Sequence, residues 1–166
     1  IVKQSQYCVK LGERYGVNIT RVIPVSEHNF GLEPTNIIPL KELQEMVGSI
    51  RYAADHARPE VLFAASAAIK DLSGTIARTT LEYLVSTKEL GVVYKHTENQ
   101  KVILEVYCDA SYNTKENGSS YYGYCVFAND KSGEISCKCG GINAICPASS
   151  FEAEVFALDE ACKGAE

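Results

Sequence analysis

A long hydrophobic run is missing from this sequence of 166 residues, although 46% of them are hydrophobic. No apolar run approaches the roughly eighteen residues that a membrane-spanning helix needs, so we expect no membrane partner. The first ten residues, IVKQSQYCVK, also lack the profile of a signal peptide, and we therefore expect an intracellular protein. The chain begins at Ile1 and not at a methionine, so we expect an internal piece of a longer product, with trimming of the chain as the alternative.

A basic surplus is missing as well. The chain has 16 Lys and Arg residues against 21 Asp and Glu residues, and the net charge is −5. The first hundred residues hold equal numbers of both, so the whole imbalance lies after residue 100. The charge total argues against a nucleic-acid binder. The acidic second part suits either a site that gathers divalent cations or an ordinary solvated surface.

Histidine is missing from the neighbourhood of the cysteines. The chain has seven cysteines, an odd number, and without a secretion signal they are typical of reduced intracellular thiols. The segment SCKCGGINAIC could bind zinc through Cys137, Cys139 and Cys146, but Cys-x-Cys in a strand points both thiols to one face. We therefore expect buried strand cysteines, with a small zinc-binding protein as the alternative.

The hydrophobic periodicity predicts an α+β chain in which helices come first. A helix that begins at residue 3 is closed by Gly16, a common C-terminal stop, and Pro59 suits the start of another. A linker-like loop is expected at 17–39, where prolines and glycines interrupt any period. The predicted helices cover residues 3–15, 40–56, 58–72 and 75–90.

After Gly91 the period changes from 3.6 residues to 2, which predicts strands. We expect strands at 91–96 and 101–112 joined by the turn TENQ, then strands at 119–130 and 133–140 joined by NDKSG. A helix at 149–164 closes the chain. Its large apolar residues share one side of the helix and predict a buried stripe, formed by Phe151, Val155, Leu158 and Cys162.

Two glutamates near the start of this last helix have different explanations. Glu152 stands three residues after Ser149, a spacing that forms a capping box over the first helical turn. Glu154 falls on the edge of the predicted apolar stripe, where a charge needs a partner.

Asp109 stands at the end of the apolar strand VILEVYCDASY. Strict alternation puts it on one face with Glu105 and Tyr107, while Val106 and Cys108 lie on the other. The aspartate could bond its own backbone to start a turn. Alternatively, Asp109 and Glu154 could share a Mg²⁺ ion, because a hard cation prefers anionic oxygen ligands.

Five segments in order resemble the Pol polyprotein of copia-type LTR retrotransposons. They are VGSIRYAADHARPEVLFAAS, LEYLVSTKELGVVYK, YCDASY, GYCVF and SSFEAEVFAL. The resemblance covers nearly the whole chain. It implies a helical reverse transcriptase thumb and connection at 1–88. It also implies a connection strand and the N-terminal part of a ribonuclease H-like mixed sheet at 89–166, with about three strands and one helix.

The resemblance also implies residues and partners. Asp109 matches the first ribonuclease H aspartate and Glu154 the catalytic glutamate, both as metal ligands, whereas Glu152 matches a residue that binds no metal. The complete domain would use two Mg²⁺ or Mn²⁺ ions to cleave RNA in an RNA–DNA hybrid. The partners would be this hybrid or a primer–template and the rest of the polyprotein, in a cytoplasmic particle or the nucleus. The helical half has basic residues that could touch phosphate, although ordinary surface charge explains most of them equally well; they include Arg51, Arg58, Lys70, Arg78 and Lys88.

The departures from the family limit the expected activity. The polymerase motif Tyr-x-Asp-Asp is missing, since no two aspartates are adjacent, and Cys137 stands where the family has tryptophan. Only two of the expected ribonuclease H carboxylates are present, so we expect the isolated chain to be inactive. The sheet would keep an unpaired edge, and residues 100 to 166 alone would be marginally stable. The alternative is a non-catalytic relic module that binds nucleic acid or a protein.

Overall fold

The computed structural model describes residues 1–26, 37–96, 101–112, 120–129, 132–142 and 147–166. The chain divides into two compact units, Ile1–Val92 and Val93–Glu166. The described residues form five α-helices and two antiparallel sheets, so the predicted α+β class is confirmed. Among these helices, none combines the length and apolar character that crossing a membrane requires.

The first unit is a group of four helices with one short sheet. Its elements are β1 (Val2–Lys3), α1 (Ser5–Tyr15), α2 (Leu40–His56), a 3-10 turn (Pro59–Val61), α3 (Leu62–Ala68), α4 (Thr75–Ser86) and β2 (Gly91–Val92). Residues at helical spacing on α2 and α4 fill the core, among them Ile50 and Leu81, which are fully buried. The core of this unit is therefore made by the amphipathic faces that the sequence predicts.

Three helices of this unit are shorter than predicted: α1 begins at Ser5 and not at residue 3, α4 ends at Ser86 and not at residue 90, and the third is interrupted. The helix expected at 58–72 is a 3-10 turn followed by α3, which ends at Ala68. The Asp71 carboxylate accepts hydrogen bonds from the backbone N–H groups of Ser73 and Ile76, and so it caps the start of α4. The chain turns at Asp71 because this local bond competes with continuing the helix.

The strand predicted at 91–96 is also different. Only Gly91–Val92 form a strand, and they pair antiparallel with Val2–Lys3, which the prediction placed partly in a helix. A side chain at Gly91 would collide with the Val2 carbonyl, so glycine permits this close approach of two backbones. The TENQ turn and residues 27–36 of the predicted loop at 17–39 lie outside the described residues.

The second unit is a three-stranded sheet covered on one face by a helix. Its elements are β3 (Leu104–Ser111), β4 (Tyr121–Ala128), β5 (Glu134–Gly141) and α5 (Ser150–Gly164). The strands lie in the order β3-β4-β5 and every described pairing is antiparallel, so the expectation of a mixed sheet is wrong. A bulge between Val126 and Phe127 shifts the register of β5 by one residue.

Helix α5 buries a different side from the predicted one. The expected stripe faces solvent, with Phe151, Val155 and Leu158 exposed by 75%, 48% and 54%. The buried side consists of alanines at positions 153, 157 and 161. These alanines pack against Tyr122 and Tyr124, and large tyrosines on the sheet leave room only for small residues on the helix.

Candidate functional site

Asp109 lies near the end of β3, directly opposite Gly123 of β4. Its neighbours Cys108 and Ala110 pack against the core that α5 covers, while Asp109 itself is exposed. Because successive side chains alternate, Asp109 belongs to the sheet face that points away from α5. The face assignment predicted for this strand is confirmed.

The face of the sheet that carries Asp109 holds other functional groups. The Tyr107 hydroxyl donates to the Glu105 carboxylate at 3.0 Å, and the rings of Tyr107 and Phe127 meet edge-on with centroids 5.9 Å apart. The thiols of Cys125 and Cys137 lie on this face as well. We call it the open face, defined by Glu105, Tyr107, Asp109, Cys125 and Cys137.

Glu154 lies in the second turn of α5 and is exposed. A partner for Glu154 was predicted because an apolar stripe was expected to be buried beside it. That stripe faces solvent, so the Glu154 carboxylate stays in water and needs no partner to offset desolvation. Helix α5 lies on one side of the sheet and Asp109 points to the other. Asp109 and the helix that carries Glu154 thus belong to opposite faces of the sheet, and the catalytic roles of both residues stay predictions.

The described carboxylates do not fit a two-metal centre. Within residues 1–26, 37–96, 101–112, 120–129, 132–142 and 147–166, no three His, Cys, Asp or Glu side chains gather closely enough to hold a metal ion. Mg²⁺ favours near-octahedral oxygen coordination, which two carboxylates on opposite sides of a sheet do not provide.

The predicted capping role of Glu152 is confirmed. The Ser149 hydroxyl oxygen accepts a hydrogen bond from the Glu152 backbone N–H at 3.2 Å. The Glu152 carboxylate returns to accept from the backbone N–H of Ala148 at 2.6 Å. The return bond reaches the amide of Ala148, one residue before the cap Ser149, so it differs by one residue from the return bond of a standard capping box.

An ion cluster joins α5 to the sheet and was not predicted. Glu160 accepts from Lys138 of β5 at 2.8 Å, from Lys163 at 3.1 Å and from the Tyr122 hydroxyl at 3.2 Å. The bonds from Lys138 and Lys163 lower the pKa of Glu160 to about 2, and the bond to Glu160 raises the pKa of Lys138. The helical spacing of Glu160 and Lys163 is visible in the sequence, but the pairing with Lys138 depends on packing.

The cysteines of β4 and β5 form a close pair that was also not predicted. The Cys137 thiol lies 2.6 Å from the Cys125 sulfur and donates to it, and both residues are half-buried. This bond lowers the pKa of Cys125 and, together with burial, raises the pKa of Cys137. Cys139 is half-buried, not fully buried as expected, and Cys146 lies outside the described residues.

One basic residue proposed to touch phosphate is inaccessible. Arg58 is only 1% exposed, and its guanidinium donates to the Thr87 carbonyl and hydroxyl at 3.1 and 2.6 Å and to Glu60 at 2.6 Å. It also lies over the Tyr83 ring. Arg58 is therefore part of the core of the first unit, and its prediction as a phosphate ligand is wrong.

The other four basic residues lie at the surface. Arg51 forms an exposed ion pair with Asp55 one helical turn away. The side chains of Lys70, Arg78 and Lys88 are exposed. Nothing in their positions distinguishes a phosphate-binding role from ordinary surface charge.

Comparisons of the chain with models of protein families, with curated proteins and with solved structures gave no match.

Proposed function

We propose that the chain is part of a copia-type retrotransposon Pol polyprotein, comprising thumb and connection helices and the opening of ribonuclease H. The observation that carries the proposal is the order of elements in the second unit, an antiparallel sheet of three strands followed by a helix on one face. Asp109 lies on the first of these strands and Glu154 in the helix, as the sequence resemblance requires. The parent activity is RNA-directed DNA polymerisation with cleavage of RNA in RNA–DNA hybrids.

The exposed surface of the second unit supports a larger parent protein. Among the described residues, the outer edge of β3 has no partner strand. Large apolar side chains on this unit are exposed, including Ile103, Phe151 and Leu158. Surfaces of this kind mark contacts with other polypeptide, and the rest of the polyprotein is the partner that the proposal supplies.

The isolated chain is proposed to be inactive, because it carries only two of the carboxylates that the resemblance implies for the metal centre, Asp109 and Glu154. The test is a cleavage assay on an RNA–DNA hybrid with Mg²⁺ or Mn²⁺, with Asp109→Asn as the matched variant. We expect no cleavage by either protein. Cleavage by the wild type that Asp109→Asn abolishes would show that these residues do act in the isolated chain.

The reading frame on both sides tests the identity directly. The proposal requires an upstream Tyr-x-Asp-Asp and, downstream of α5, a strand that ends in aspartate. A chain extended through that strand tests whether the added residues complete one centre with Asp109 and Glu154. Cleavage of hybrid RNA that Asp109→Asn and Glu154→Gln each abolish would support the proposal. An intact frame lacking both motifs would refute the proposal.

A second candidate is a non-catalytic module that binds nucleic acid or a protein partner. The direction of Asp109, away from α5, favours this candidate over an enzyme. Titration with hybrid duplex at two salt concentrations tests it, because contacts with phosphate weaken steeply as salt rises. Salt-dependent binding without cleavage would support nucleic-acid binding, and no binding at low salt would exclude it.

A further inference from the structure

Cys125 and Cys137 occupy directly opposite positions on the neighbouring strands β4 and β5. Residues opposite each other in an antiparallel pair have Cα atoms about 4.5 to 5.5 Å apart. This separation falls inside the range of about 4.4 to 6.8 Å that disulfides span. A bond between the two sulfurs would therefore need no change in strand register.

The two thiols lie on the open face, which α5 does not cover. Tyr124 and Val126, the neighbours of Cys125 in β4, are buried under α5, so alternation points Cys125 to the other side. Both cysteines are half-buried and not sealed in the core. A small oxidant can therefore approach the pair from the open face.

We propose that Cys125 and Cys137 are a redox-active dithiol that forms a reversible disulfide by exchange with a low-molecular-weight disulfide of the glutathione class. The Cys125 thiolate attacks one sulfur of the small disulfide and releases one small thiolate. The Cys137 thiol then loses its proton and attacks the Cys125 sulfur of the mixed disulfide, which releases the second small thiolate. The two cysteines are oxidised by two electrons, and one small disulfide is reduced to two thiols.

The hydrogen bond between the thiols assigns the two roles. Cys137 donates to Cys125, which favours the thiolate of Cys125 and holds the proton on Cys137. A thiolate is the attacking species in exchange, so Cys125 reacts first and Cys137 resolves the mixed disulfide. The dithiol is independent of the proposed function, because neither cysteine is assigned to catalysis or metal binding.

The sequence allows a direct test by peptide mapping. Trypsin cleavage after Lys115, Lys131 and Lys138 places Cys125, Cys137 and Cys139 in three different peptides, 116–131, 132–138 and 139–163. The reduced full chain is treated with oxidised glutathione, alkylated, digested and analysed by mass spectrometry. We expect peptide 116–131 to be joined to 132–138, and dithiothreitol to separate them.

Matched serine variants distinguish the roles. Cys137→Ser should leave Cys125 trapped as a glutathione mixed disulfide, while Cys125→Ser should leave Cys137 largely reduced. Cys139→Ser, two residues further along β5, should retain the link between the two peptides. If Cys139→Ser abolished the link, or if 116–131 were joined mainly to 139–163, the proposed pairing would be overturned.

The wild-type chain provides a comparison that needs no variant. The exposed Cys162 of α5 should stop at the mixed disulfide under the same conditions. In urea the selectivity should disappear, with Cys125 joined to several cysteine peptides, because strand register then no longer pairs it with Cys137. The same distribution of links in folded and unfolded chain would overturn the proposal.

Discussion

Glu160 of α5 accepts a hydrogen bond from the Lys138 ammonium of β5 at 2.8 Å and another from the Tyr122 hydroxyl of β4 at 3.2 Å. The helix is thus tied to two strands by one carboxylate, beside the alanines that pack on the sheet. Lys138 also lies 5.7 Å from the centre of the Tyr122 ring. Glu160, Lys138 and Tyr122 form a polar clasp beside the apolar packing of α5 on the sheet. The clasp requires that Glu160 is ionised.

The clasp makes the stability of the second unit depend on pH. The pKa of Glu160 falls from 4.5 to about 2 in the fold, so its contribution is complete above about pH 4.5 and is lost as the pH falls towards 2. We expect Glu160→Gln to lower the free energy of unfolding by about 1 kcal/mol at pH 7, a modest value because Lys138 is partly exposed to screening solvent. Urea unfolding at pH 7, 4 and 2.5 should show that the difference in free energy of unfolding between wild type and Glu160→Gln becomes smaller as the pH falls.

Asp159 provides the matched control for this prediction. It lies next to Glu160 in α5 and forms an exposed ion pair with Lys163. Asp159→Asn should change the free energy of unfolding by less than about 0.5 kcal/mol at every pH. An equal loss in both variants would mean that helix charge alone, and not the clasp, determines the effect.

The buried face of α5 can be tested by enlarging the side chain at position 157 and, separately, shortening the side chain at position 158. Ala157 is fully buried against the sheet, and Leu158 is 54% exposed. Ala157→Leu should destabilise the second unit by about 1 to 3 kcal/mol through overpacking. Leu158→Ala should change stability by no more than about 0.5 kcal/mol. If Leu158→Ala were instead the more damaging change in urea unfolding, the predicted stripe would be the buried face.

Helices α2 and α5 show when the hydrophobic pattern predicts the buried side of a helix and when it does not. The bounds of α2 agree with the prediction at 40–56, because Leu43, Met46 and Ile50 repeat at helical spacing and bury the same side. In α5 the same reasoning selects the largest apolar residues. It fails there because Tyr122 and Tyr124 fill the space above the sheet and only alanine fits beneath them. The sequence of α5 does not reveal how large the side chains of the facing sheet are, so it does not predict which side of the helix is buried.

For the candidate site, the sequence likewise predicts the local features but not those that depend on tertiary packing. Alternation alone predicts the face of Asp109, since the period of a strand is local. Whether Asp109 meets Glu154 depends on which face of the sheet the helix covers, and this is a tertiary choice. The pairing of Cys125 with Cys137 likewise depends on the register of β4 and β5, which a bulge shifts by one residue. The predicted turn NDKSG between the two cysteines indicates that their strands are neighbours, but it does not set this register.

Two glycines of the first unit should respond to alanine in opposite directions. Gly48 lies inside α2 and Gly16 ends α1 with a φ of 61°, and neither site has an atom that would obstruct a new methyl group. Gly48→Ala should stabilise the unit by about 0.5 to 1 kcal/mol, because alanine favours a helix interior. Gly16→Ala should destabilise it by about 1 kcal/mol, because left-handed backbone disfavours a side chain. Thermal unfolding of both variants measures the sign, and a stabilising Gly16→Ala would contradict the left-handed cap.

Arg58 is expected to contribute more to stability than any exposed arginine, because its guanidinium is buried and hydrogen-bonded to Thr87 and Glu60. Arg58→Met keeps much of the volume but removes the three hydrogen bonds to Thr87 and Glu60, and we expect a loss of about 3 kcal/mol in the free energy of unfolding. Arg58→Lys should also destabilise, because an ammonium cannot replace the planar fork that reaches both groups. Arg51→Met, which removes only an exposed pair with Asp55, should cost less than about 0.5 kcal/mol. Equal losses for Arg58→Met and Arg51→Met in urea unfolding would place Arg58 at the surface and restore it as a candidate phosphate ligand.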